Sequence, residues 1–134
     1  MQPEAKFYKE LKKNIPSIIW NRVENLSLLG MPDLLGYNKK QCFFTVELKV
    51  VKGNKIKFSP HQIAWHKTHP QNTFIMAKTL DPCTLKTSSI SLFHGSSIMA
   101  LARYGMKVDA CACGFPACAS MFDEVGLTLE NLGA

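Results

Sequence analysis

The chain has 134 residues, 46% hydrophobic and 19% charged, enough apolar content to bury the core of one domain and too much for a disordered chain. Sixteen Lys and Arg against ten Asp and Glu give a formal charge of +6, which suits a phosphate backbone and equally a lysine-rich solvated surface. No apolar run reaches the roughly 18 residues of a membrane span, the charged start "MQPEAKFYKELKK" has no secretory h-region, and five cysteines, an odd number, favour a reducing compartment over a disulfide framework.

In chain order, "PEAKFYKELKKNI" predicts a helix with Pro3 at its start and Pro16 just beyond its end. A strand is expected around Ile18–Trp20 and another ending near Leu29. Gly30 and Pro32 then punctuate entry into a strand at Asp33–Tyr37. "NKKQ" is a polar turn, and "CFFTVELKVV" is the strongest strand signal in the chain. "SPHQIAWHKTH" predicts a helix with Ser59 as N-cap, Pro60 at the first helical position and Gln62 placed to complete a capping box. "NTFIMAKTL" and "ISLFH" read as strands, "GSSIMALARYG" as a helix closed by Gly105, and residues 117–125 as a further helix. The order predicts a single α/β (α+β) domain, a mixed β-sheet flanked by helices. Its core falls at 4–105, with a C-terminal extension at 106–134.

Charged residues inside strands are costly unless something pairs with them. Side chains alternate along a strand, so Cys42, Phe44, Val46, Leu48 and Val50 form one face of "CFFTVELKVV", a clean apolar one. Phe43, Thr45, Glu47, Lys49 and Val51 form the other. Glu47 and Lys49 are thus about 7 Å apart on one face, and an antiparallel hairpin brings Asp33 beside them. Two converging carboxylates suit a hard cation such as Mg²⁺, and a neighbouring ammonium orients a water or stabilises developing negative charge. Glu-x-Lys alone is a common cross-strand pair on a solvated face; "GMPD" ahead of it and the flanking hydrophobics favour the site.

At 100° per residue Glu4 shares the apolar stripe of the first helix with Phe7, Tyr8, Leu11 and Ile15, whereas Glu10 falls to the side. Glu4 is therefore the better candidate ligand, or else a first-turn acid favoured by the helix dipole. Six lysines lie between Lys39 and Lys57, and Lys39, Lys40, Lys52, Lys55 and Lys57 are candidate phosphate contacts.

Other clusters are weaker. His66 and His69 lie three apart, but HxxH lacks a third ligand for zinc; Trp65 is expected in the core and the histidines on the surface or facing DNA. Cys111, Cys113 and Cys118 of "CACGFPAC", with Cys83, Cys42 or His94, could assemble a zinc site. The spacing lacks paired CxxC knuckles, so free or buried thiols are favoured. Met121, Phe122, Val125, Leu127 and Leu129 cap the core or form a dimer contact. No GxxxxGK[ST], GxGxxG or GxSxG motif occurs, so no nucleotide cofactor is expected.

Glu4 on an opening helix, then "NRVEN", "GMPD", "VELK" and "SPHQIAW", in that order over roughly residues 4 to 80, resemble the PD-(D/E)xK nuclease superfamily. The likeness is to its small VRR-NUC branch and to the archaeal-like Holliday junction resolvases carried by phages. The resemblance implies a restriction-endonuclease-like core and a Mg²⁺-dependent phosphodiesterase, with Mn²⁺ able to substitute. It implies Asp33, Glu47 and the Leu48 carbonyl as metal ligands, Glu4 completing the set, Lys49 activating or positioning the attacking water, and Gln62 beside the site. For Gln62 the capping box remains an equal account. Glu24 matches as a supporting residue. The function so implied is cleavage of branched DNA, foremost a Holliday junction, by a homodimer with no membrane or nucleotide partner, in the cytoplasm of a phage-infected bacterium. A repair or restriction-type nuclease acting on linear duplex or flaps, and a non-catalytic DNA-binding module, are the rival readings.

Overall fold

The computed structural model describes residues 3–23, 30–80 and 87–126. Glu24, Cys83, Leu127, Leu129 and the strand expected to end near Leu29 lie outside them. Phe7, Leu11 and Ile15 recur at helical spacing and are all buried, along and just after helix α1 (Pro3–Asn14). Strands β1 (Ile19–Arg22), β2 (Leu34–Tyr37) and β3 (Phe43–Lys52) follow as an antiparallel meander. Helix α2 (Pro60–Thr68) crosses over to β4 (Thr73–Leu80), which pairs with β3 in parallel, the connection a parallel pair requires. Strand β5 (Thr87–His94) returns antiparallel to β4, helix α3 (Ile98–Tyr104) packs back, and β6 (Ala112–Cys113) and helix α4 (Phe115–Asp123) complete the chain. The result is one six-stranded sheet in sequence order, the mixed α+β architecture expected.

Alternation along β3 and β4 sends side chains into two cores. Phe44, Val46, Leu48, Phe74 and Met76 pack with Phe7 and Leu11 of α1 and Cys118 and Phe122 of α4. Val51, Ile75 and Ala77 pack on the other face with Ile98 and Leu101 of α3 and, half-buried, Ile63 of α2. Around Glu47, which is 3% exposed, this face of β3 is therefore covered, not solvated. Residues 106–126 are also no appendage: Cys118 and Phe122 are fully buried in the first core, where the Phe122 ring stacks on Phe44 at 4.8 Å. Two-residue β6 was beyond the reach of a period-two pattern.

Two polar groups tie these layers together. Lys78 of β4, only 5% exposed, pairs with Glu10 of α1 and lies over the Phe7 ring. Glu10 reaches it because it sits at the flank of the apolar stripe. Buried Asn38 donates to the carbonyl oxygens of Phe122 (3.0 Å) and Val125 (2.9 Å), in the last turn of α4 and just past its end. Its own oxygen accepts from the amides of Lys40 and Cys42, so one side chain joins the β2–β3 turn to the last helix. Asn38→Ala is expected to lower unfolding free energy by about 2–4 kcal/mol in urea titration. A loss below about 0.5 kcal/mol would show that α4 is held elsewhere.

Candidate active site

Register decides what the strand pattern left open. Leu34 pairs with Val46 and Leu35 with Thr45, so the same antiparallel register sets Asp33 opposite Glu47. The pairing of β1 extends to this point, with the Val23 amide donating to the Asp33 carbonyl at 2.8 Å. Asp33 Oδ2 accepts from the Leu48 amide at 2.8 Å, which fixes the carboxyl against β3. It is thus the amide of Leu48, rather than its carbonyl, that is tied to Asp33. Gly30 brings this segment onto α2. Its φ is +82°, and a Cβ there would meet the His61 carbonyl oxygen at 2.2 Å, so only glycine permits the approach.

Gln62 ties the acid to the base. Its Nε2 donates to Glu47 Oε1 at 2.9 Å, and its Oε1 accepts from Lys49 Nζ at 3.1 Å. The same Oε1 accepts from the Ser59 amide (3.0 Å), while the Gln62 amide donates to Ser59 Oγ (3.1 Å). The capping box and the link to the acid and the lysine therefore coexist, the helix start holding the amide that the site uses. Lys49 Nζ also lies 4.9 Å from the centre of the Phe58 ring, a cation–π contact that sequence pattern did not suggest.

Glu47 is 3% exposed. Burial, and after it the neighbouring Asp33 charge, push its carboxyl from 4.5 up to about 9, against the pull of Lys49. Its Oε2 has no hydrogen-bond donor. Two adjacent carboxylates, one with an orphaned buried oxygen, need a shared proton or a cation. A hard cation fits this donor set, and Mg²⁺ in particular takes one or two carboxylates and draws its remaining ligands from water and phosphate.

Glu4 is not part of that pair. It is exposed at the end of the α1 stripe, because the first turn extends past the layer that buries Phe7. With Lys49, Lys52, Lys55 and Lys57 it lines a groove of about 450 Å³. Among the described residues no group of three or more His, Cys, Asp or Glu is gathered, so neither Glu4 with the acid pair nor Cys42, Cys111, Cys113 and Cys118 form such a cluster. Those four thiols are free, and burial pushes Cys118 up to about 12.

The lysine run divides in two. Lys52, Lys55 and Lys57 flank the groove, while Lys39 and Lys40 sit beyond the other end of β3, about 30 Å away at the usual strand rise. The Lys40 ammonium donates to the Asp123 carbonyl, which commits it to the end of α4. The α2 assignments also change. His66, expected on the surface, is fully buried, with Nδ1 2.9 Å from the Gln62 carbonyl and Nε2 unpartnered; burial lowers its pKa. Trp65, expected in the core, is half-buried and stacks on exposed His69 at 4.0 Å and 9°. The helix is turned by its Gln62 contacts, so the position one turn on, residue 66, faces the sheet.

Compared with protein-family models, with curated proteins and with solved structures, the chain finds no match.

A native state that holds a proton on Glu47 loses stability as pH rises from about 4.5, where the unfolded chain releases that proton, towards about 9. In metal-free buffer the stability of the wild type relative to Glu47→Gln is expected to fall across this window, measured by thermal melts at stepped pH. Mg²⁺ at pH 8 should raise the wild-type melting temperature and leave that of Glu47→Gln nearly unchanged. A pH-independent difference between the two proteins would mean that the carboxyls do not share a buried site.

Proposed function

We propose that the chain is a Mg²⁺-dependent, structure-selective endodeoxyribonuclease of PD-(D/E)xK type that cuts branched DNA, foremost a Holliday junction. One observation carries this reading: Asp33 and Glu47 face each other in register, with a buried, donorless oxygen, beside a lysine held by Gln62. Such an arrangement is costly to the fold and is accounted for by a cation that the acids bind. The motif order "GMPD", "VELK" and "SPHQIAW" supports the same family by resemblance.

Asp33 and Glu47 would hold the ion. Bound there, Mg²⁺ supplies charge neutralisation at the scissile phosphate and lowers the pKa of the attacking water. Lys49 Nζ positions that water and stabilises the negative charge that develops on phosphorus-bound oxygens. Gln62 keeps Glu47 and Lys49 at a fixed separation and is a positioning residue. Lys52, Lys55 and Lys57 contact phosphates along the groove, and Glu4 faces that groove from α1. Such contacts carry no base information, so selectivity for branched DNA rests on shape. Symmetric cutting of a four-way junction calls for two sites, hence a C₂ homodimer. No described helix is long and apolar enough to cross a membrane. With a DNA substrate and free thiols, the cytoplasm of a phage-infected bacterium is the proposed setting.

A synthetic four-way junction and a linear duplex of the same sequence, each incubated with Mg²⁺, test the reading. The junction should be cut and the duplex spared, with all cutting lost in EDTA. Equal cutting of both would replace the resolvase with a nuclease of linear or flap substrates. Asp33→Asn and Glu47→Gln should abolish cleavage while junction binding persists, and Gln62→Ala should reduce it about 10–100-fold. Undiminished cleavage by either acid variant would refute the assigned site.

A further inference from the structure

The face of the sheet that holds the acid pair continues past it. In cross-strand order the pairs on this face are Asp33 with Glu47, Leu35 with Thr45, and Tyr37 with Phe43, each step about 7 Å along the strand. Helix α2 covers the first pair through Gln62 and ends at Thr68. Beyond it the sheet is open. There lies a second groove of about 440 Å³, floored by Leu35, Phe43 and Thr45 and walled by Trp65, His69 and Asn72. Phe43 is 56% exposed and its ring lies 4.6 Å from that of Tyr37. His69 is exposed and flat against Trp65.

We propose that this groove receives an unpaired nucleobase of the DNA strand whose phosphate sits at Asp33 and Glu47. The inference rests on the nuclease reading and names the feature of branched DNA that the enzyme reads. Three observations favour this occupant. The groove adjoins the acid site, since Leu35 and Thr45 on its floor lie one same-face step, about 7 Å, from Asp33 and Glu47, within reach of a nucleotide next to the scissile phosphate. Phe43, Trp65 and His69 bring flat rings to its lining, on which every base stacks regardless of sequence. The lining has no acidic residue, in a chain of formal charge +6, and exposed Lys39 lies beyond Phe43 to take a further phosphate. A base in a continuous duplex is stacked on both sides and costs more to extrude than one at a branch point, where stacking is interrupted, which makes the groove a shape sensor.

The test uses the full chain in EDTA, where binding is read without cleavage, and junctions carrying 2-aminopurine beside the branch point. Wild-type protein should change 2-aminopurine fluorescence on binding. Phe43→Ala and Trp65→Ala should erase that change and weaken junction affinity about 5- to 100-fold, while affinity for linear duplex stays within twofold. Trp65→Phe, which keeps a flat ring, should restore the signal, separating stacking from any loss of helix packing; melting curves confirm that each variant is folded. Normal junction binding and cleavage with no fluorescence change would overturn the groove and leave the nuclease standing. An equal loss on junction and duplex would overturn it too, as would conversion of a dimer to a monomer by Phe43→Ala in sedimentation, which would assign the face to a second copy of the chain. Failure to bind any DNA would overturn both readings.

Discussion

Two carboxyl groups placed opposite each other in neighbouring strands repel, and burial removes the water that would screen them. In this chain the arrangement has been built with several restraints. The Leu48 amide holds Asp33 in place, Gln62 holds Glu47, and Gly30 lets the Asp33 segment close onto α2. Each restraint acts on the free energy of an acid pair that hydrophobic packing alone would have replaced with leucine or valine. The pair is stable only with a proton or a cation between its members, and the surrounding fold is arranged to keep the choice open.

Gln62 shows how structure and chemistry are merged. Its backbone amide belongs to the helix cap, its side-chain oxygen takes both the Ser59 amide and Lys49, and its side-chain amide donates to Glu47. A helix start that is rigid for reasons of local hydrogen bonding thereby becomes a ruler between an acid and a lysine on a strand. The parallel β3–β4 pair makes this geometry available, because its crossover helix must lie on one face of the strand it leaves. On the opposite face α1 and α4 complete the first core, with Asn38 and the Glu10–Lys78 pair closing it. One face of the sheet thus carries the first core alone, and the other carries the second core together with the acid pair.

Along β3 the chemistry grades from one end to the other. Lysines at the end of β3 face one groove, the acid pair and Lys49 come next, and aromatic rings follow where α2 stops. Along β3, then, positive charge gives way to a buried acid pair and that in turn to exposed rings. The lysines at 39–40 and 52–57 flank β3 in the chain and so stand at opposite ends of the strand.

Much of this was legible in the residues alone. The ten-residue β3, the Ser59–Gln62 cap and the two faces of "CFFTVELKVV" follow from period, propensity and capping chemistry, which are local and survive any tertiary arrangement. The convergence of Asp33 with Glu47 and Lys49 was legible too, because a short turn permits only neighbouring registers. What the chain could not disclose depends on rotation and reach. Glu4 and Glu10 sit on the same helix, yet only the lateral position of the helix against the sheet places one in solvent and the other on Lys78. Trp65 and His66 are adjacent, and hydrophobicity favours burying the indole. A rotation of α2 set by Gln62 buries the imidazole instead and leaves the indole to line a groove. Local sequence determined the elements and the acid pair; the angle at which the helices settle decided which of their side chains join the site, because that angle is set by contacts summed over both cores.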